Sequence, residues 1–155
     1  MKRLQQLSVV LAGGVAALAT TVIPAHASDQ WHQIPDRTGL PYHQATGYMH
    51  DRDNRVEGWG RVDWSGTTVE VHAGAKLLAG SQGECAVTVI DYDVQINGTW
   101  KEDTRSPAID CSPNGSQVIS PYYSSNHPVK NLRFRTCVGD KAGGVNTFLC
   151  SPWPW

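Results

Sequence analysis

Residues 56–73 read Val56-Glu57-Gly58-Trp59-Gly60-Arg61-Val62-Asp63-Trp64-Ser65-Gly66-Thr67-Thr68-Val69-Glu70-Val71-His72-Ala73. Apolar and polar residues alternate on both sides of Ser65-Gly66, the period-two signature of two half-buried strands joined by a short turn. A two-residue loop at Ser65-Gly66 places Trp64 opposite Thr67, Val62 opposite Val69 and Gly60 opposite Val71 on one face. The other face then pairs Arg61 with Glu70, Asp63 with Thr68 and Trp59 with His72. One register thus produces an apolar face and an opposite-charge cross-strand pair, and the two features support each other.

The same pattern continues outward. Asn97-Gly98, the strongest short hairpin signal, follows an alternating arm from Cys85 to Ile96. Folding about it sets Ile96 against Thr99 and Cys85 against Asp110, one residue from Cys111, although Pro107 is expected to stop the ladder earlier. Cys137 and Cys150 are symmetric about Gly143-Gly144. The turns therefore select the disulfides Cys85–Cys111 and Cys137–Cys150. A strand from Val129 to Val138 is expected to turn Leu132, Phe134 and Val138 inward and Arg133 and Arg135 outward. With about six to eight short strands and no sustained helical period, the fold is expected to be all-β. An antiparallel two-sheet sandwich with two disulfides is the natural closure, with a small barrel as the alternative.

The first 27 of the 155 residues stand apart. Met1-Lys2-Arg3 is basic, Leu4 to Ile23 is uncharged and largely apolar, and Ala25-His26-Ala27 has the form that signal peptidase accepts. Residues 28–44 lack periodicity and read as an arm, with an added strand possible at Gly47 to Asp51, and 45–155 as a single β domain. Cleavage after Ala27 removes two of 13 basic residues and none of 14 acidic ones, leaving a net charge of −3 and no basic excess for nucleic acid. The product is expected to be secreted, free of the membrane and monomeric, with its even set of four Cys oxidised.

The chemistry-bearing residues are few. No His-Glu-x-x-His, Gly-x-Ser-x-Gly, phosphate-loop or dinucleotide pattern occurs, and both cysteine pairs are assigned to bridges, which leaves no catalytic constellation. Asp91 and Asp93 share one strand face as an acid–base pair could, against the simpler reading of a solvated face neutralised by Arg133 and Arg135. Asp51 and Asp53 form a calcium-like fragment without the rest of its loop, and read as a polar turn. His43, His50, His72 and His127 show no ligand spacing, so neither a metal nor a cofactor is expected. Asn97-Gly98-Thr99 and Asn114-Gly115-Ser116 fit the glycosylation acceptor pattern and are assigned to turns.

Six Trp are the compositional excess. Trp64 is expected in the core and Trp100 in the core or at an edge. Trp59 falls outward beside His72, between Gly58 and Gly60, which have no side chains to cover its ring. Tyr122-Tyr123, between Pro121 and Ser124, reads as a loop-borne aromatic pair suited to binding. Trp153-Pro154-Trp155 follows Cys150 closely enough for the bridge to hold it against the body.

The Gly-Trp-Gly-Arg-Val-Asp-Trp and Asn-Leu-Arg-Phe-Arg-Thr-Cys-Val strands and the four spaced Cys give a chain that resembles small secreted actinobacterial β-sheet proteins with two disulfides. Most of these carry no assigned activity. The chain is more distantly similar to the two-disulfide β-sheet inhibitors of amylases and proteases, without their Trp-Arg-Tyr triplet. Neither resemblance implies a site residue. The expected function is a secreted, non-catalytic binding protein that takes an extracellular glycan or protein surface through Trp59, Arg61, Glu70, His72, Tyr122 and Tyr123. The alternatives are an inhibitor of a secreted hydrolase acting through residues 121–128, and a small hydrolase using Asp91 and Asp93.

Overall fold

The structure is a computed structural model that describes residues 30–38, 43–51, 53–79 and 83–151. Ten strands follow the chain: β1 (Trp31–Ile34), β2 (His43–His50), β3 (Val56–Ser65), β4 (Thr68–Leu77), β5 (Cys85–Ile96), β6 (Thr99–Asp110), β7 (Val118–Ile119), β8 (Tyr122–Ser125), β9 (Val129–Gly139) and β10 (Val145–Cys150). They form two antiparallel sheets, one ordered β1-β8-β4-β3-β2 with β7 also on β4, the other β10-β9-β5-β6. The sheets face each other, which is the sandwich. Residues 1–27 and Trp153-Pro154-Trp155 lie outside the described residues.

Alternation explains the core. Val56 of β3, and Val71, Ala73, Ala75 and Leu77 of β4, face Ile90, Tyr92, Val94, Phe134 and Val138 of the second sheet. Burial of each large apolar side chain contributes about 1.5–3 kcal/mol. Gly58 and Gly60 sit on this inner face, where a methyl on Gly58 would collide with the hydroxyls of Thr136 and Thr88, and one on Gly60 with the Phe134 ring. Their missing side chains let the sheets approach and do not uncover Trp59, which points the other way. A second cluster of Val87, Val89, Cys85, Cys137 and Cys150 lies behind β5 and β9, under Ile109 and Val145.

Both disulfides, Cys85–Cys111 and Cys137–Cys150, are present, but irregular backbone completes the alignment. From Ile96↔Thr99 to Ile90↔Arg105 the second hairpin keeps the register of its Asn97-Gly98 turn. The ladder then continues past Pro107 to Ala86↔Asp110 through a one-residue shift between Thr88 and Ile90. Proline is tolerated here because an irregularity on the edge strand β6 spares the bond it cannot donate. That extra residue brings Cys111, not Asp110, to Cys85. In the third hairpin the turn spans 140–144, with Gly143 N–H donating to the Asp140 carbonyl, and pairs Val145 with Gly139. A later shift restores Cys150↔Cys137.

The first hairpin turns one residue later than Ser65-Gly66. Ser65 pairs with Thr68, leaving Gly66-Thr67 as the loop. Gly66 has φ +58° and Thr67 has negative φ, the signs of a type II′ turn, for which glycine suits the first central position. Trp64 therefore lies opposite Val69, Val62 opposite Val71, Arg61 opposite His72 and Trp59 opposite Gly74. Each partner moves two places along β4, an even step, so every side chain keeps its face.

Residues 28–44 include a core element that periodicity missed. Trp31 on β1 is 2% exposed and meets the Tyr92 ring edge to face at 5.2 Å. Tyr122-Tyr123 begin β8, held between β1 and β4, and are not a loop. Trp64 points inward but is only partly buried, beside an open cavity. Trp100 lies on the edge strand β6, with the Lys130 ammonium 4.1 Å above its ring.

Candidate functional site

The outward face of the first sheet gathers five of the six expected residues: Trp59, Arg61, Glu70, His72 and Tyr122. Tyr123 does not join them. Alternation on β8 turns it to the opposite face, where it packs on the core and Arg105 lies 4.1 Å above its ring. Tyr122 instead stacks on His72 with centroids 4.0 Å apart and planes 9° from parallel. His72 meets Trp59 edge-on at 5.0 Å, making a three-ring ladder across β3, β4 and β8.

Gly74 completes the seat of Trp59. A methyl there would collide with the indole Nε1, so the ring lies over the bare backbone of β4. The indole N–H donates to Gln117 Oε1 at 3.1 Å. Beside the ring opens a groove of about 380 Å³ lined by Met49, His50, Glu57, Trp59, Lys76 and Gln117. Glu57 and Lys76 are direct cross-strand partners, 3.3 Å apart at their charged atoms. Burial holds the His72 imidazole below its ordinary pKa, more strongly than the Pro121 and Ser120 carbonyls raise it, and the Arg61 charge adds to the lowering. The ring is therefore neutral at pH 7, and its buried Nδ1 has no hydrogen-bond partner among the described residues.

Next to the ladder the corrected register opposes Asp63 to Glu70 in place of the expected Arg61–Glu70 pair. Like charges directly across strands repel, yet these side chains are only 2% and 3% exposed. A strap covers them. The chain leaving β1 comes onto this face at Arg37 and Thr38. Arg37 grips Asp63 with Nε at 3.1 Å and a terminal nitrogen at 2.9 Å, and Arg61 Nε adds a contact at 3.3 Å. Glu70 accepts from the Thr38 backbone N–H at 3.3 Å and from the Thr38 hydroxyl. Glu70 and Arg61 are thus engaged beneath Arg37 and Thr38, and among the described residues the Trp59 groove stays open on this face.

The remaining candidates are held by neighbouring groups. Arg135 holds Asp91 in a two-pronged pair at 2.6 and 2.8 Å, and Asn131 donates to Asp93 at 2.6 Å, so the pair reads as a neutralised outer face. Asp51 is buried and caps its own turn, accepting the backbone N–H groups of Arg55 at 2.6 Å and Val56 at 3.1 Å. Among the described residues no group of three or more His, Cys, Asp or Glu converges as metal ligands would.

The chain matches no family model, no curated protein and no solved structure.

Sequence reasoning missed Asp63, Gly74, Glu57, Lys76, Gln117 and the Arg37-Thr38 strap. The Glu57–Lys76 pair was within its reach, because the correct turn opposes the two at once. Arg37 and Gln117 come from segments 26 and 58 residues distant from their partners, and no local pattern announces them.

Proposed function

We propose that this is a secreted, non-catalytic binding protein whose ligand is an extracellular glycan, bound in the Trp59 groove. The observation that carries the reading is the indole, fixed by Gln117 and by Gly74 beneath it, at the wall of a groove that also presents a carboxylate, an ammonium and an amide. A sugar offers a C–H face that stacks on an indole and hydroxyls that need donors and acceptors at the rim. Two disulfides suit an oxidising compartment, and the export-like residues 1–27 support secretion. The inhibitor reading needed a free loop at 121–128, whereas Tyr122–Ser125 are hydrogen-bonded into the sheet between β1 and β4.

Residues 28–155 applied to chitin, cellulose and peptidoglycan are expected to be retained by at least one, with a change in Trp fluorescence on a soluble fragment of it. Trp59→Ala should abolish both. Absence of retention on all three, or retention unchanged in Trp59→Ala, would overturn the proposal.

A further inference from the structure

Two of the six asparagines, Asn97 and Asn114, are followed by glycine. In such a pair the backbone nitrogen of the glycine can attack the asparagine Cγ, because no side chain hinders its approach. Both asparagines are exposed, and a β-carbon on either glycine would meet nothing within 4 Å. The two sites differ in how the backbone is held. We propose that Asn114 is a site of spontaneous covalent modification, closing to a succinimide with Gly115 and opening to aspartate or isoaspartate, while Asn97 is kept intact by its hairpin.

Ring closure needs the asparagine to rotate about its Cα–C bond until the following nitrogen lies over the β-carbon. Asn97 has φ +50° in a turn that Ile96↔Thr99 closes directly, with the ladder running on to Ile90↔Arg105. That left-handed conformation carries ψ of about +47°, which turns the next nitrogen to the side of the bond away from the β-carbon. Rotating it back would break the pairing at the turn. Asn114 sits between β6 and β7, outside any ladder. Its N–H donates to the Ser112 carbonyl at 2.7 Å, and its Oδ1 accepts the Ser116 N–H at 2.9 Å. Both bonds lie within the loop, so the rotation disturbs no strand. The second also favours the reaction, since Oδ1 becomes an oxyanion during the attack and already faces a backbone donor.

The Gly115 N–H gives its proton to hydroxide, the nitrogen bonds to Asn114 Cγ, and the Cγ–Nδ2 bond breaks to release ammonia. Water then opens the ring. Attack at Cγ leaves an ordinary aspartate, and attack at the backbone carbonyl reroutes the chain through the β-carbon as isoaspartate. One water is taken up, one ammonia is lost, and nothing is oxidised or reduced. Either product adds a negative charge, and isoaspartate also lengthens the backbone in the loop that leads to Gln117, the residue that holds the Trp59 indole.

Peptide mapping by mass spectrometry tests this on folded protein kept for weeks in mildly alkaline buffer. Asn114 should gain one mass unit, partly as isoaspartate, several-fold faster than Asn97. In the urea-unfolded chain the two should convert at similar rates, which separates protection by the hairpin from an effect of neighbouring residues. Ser116→Pro removes the amide donor to Oδ1 and should slow conversion of Asn114 in the folded protein, with Asn97 unchanged. Equal rates at the two sites in the folded protein, an Asn114 that stays intact there while the unfolded chain converts, or no slowing in Ser116→Pro would each overturn the proposal.

Discussion

Gly74 shows how one absent side chain sets the site. The Trp59 indole occupies the space a β-carbon would need. Gly74→Ala is expected to cost about 1–3 kcal/mol, the usual penalty of overpacking, read as a lower urea midpoint at unchanged slope. Gly74→Ala/Trp59→Ala should recover most of that loss, because the clash is removed with the ring. His72 makes a pH prediction. Its folded pKa lies below 6.5 mainly because of burial, so as pH falls the unfolded chain takes up the proton first. The stability gained by keeping the ring neutral is complete above pH 6.5 and is lost as pH falls below it. The drop in urea midpoint from about pH 7.5 to about pH 5.5 should therefore be smaller in His72→Gln than in the wild type. At this scale alternation alone assigned Trp59, Arg61, Glu70 and His72 to the outer face, because a strand has only two faces. It could not say what lay against them.

Elements were legible where a turn residue dictates backbone geometry. Asn97-Gly98 fixed its hairpin because both residues take positive φ, +50° and +80°. Gly66 takes positive φ equally well, but one glycine is compatible with a loop on either side of it, and the neighbouring Ser65 was included in place of Thr67. The irregularities were not legible. A one-residue shift in β5 and β6 alters no hydrophobic pattern, yet it decides which residue faces Cys85. The Cys85–Cys111 bridge closes a separation of 26 residues, and in the chain-entropy account Cys85→Ala/Cys111→Ala should lose about 3 kcal/mol. Chemical denaturation of the oxidised wild type and the variant checks this. The bridge also pins the end of β6, and amide exchange at Ser106 and 108–110 should quicken in the variant while Ile96 and Thr99 at the hairpin turn are unaffected.

Across the whole molecule, the strap of Arg37 and Thr38 ties the segment after β1 to the outer face of β3 and β4. Arg37 supplies a pair of hydrogen bonds to Asp63, which is buried opposite Glu70. Arg37→Ala is expected to lower the urea midpoint, because it leaves those two carboxylates with less compensation. Arg37→Ala/Asp63→Asn should sit closer to the wild type, since it removes the charge that lost its partner. An unchanged midpoint in Arg37→Ala would mean that Arg61 suffices.

The sequence by itself determined an all-β chain, the inward and outward faces of its longest strands and both cysteine pairings. These are consequences of period two and of short turns, which act over a few residues and so are written locally. The tertiary structure alone decided that β1 belongs to the first sheet, that Tyr122 and Tyr123 part to opposite faces, and that Arg37 and Thr38 close over Asp63 and Glu70. Those contacts join segments distant in the chain, and their partners are chosen by which edges and faces the packed sheets leave open, a property that no single stretch of sequence carries.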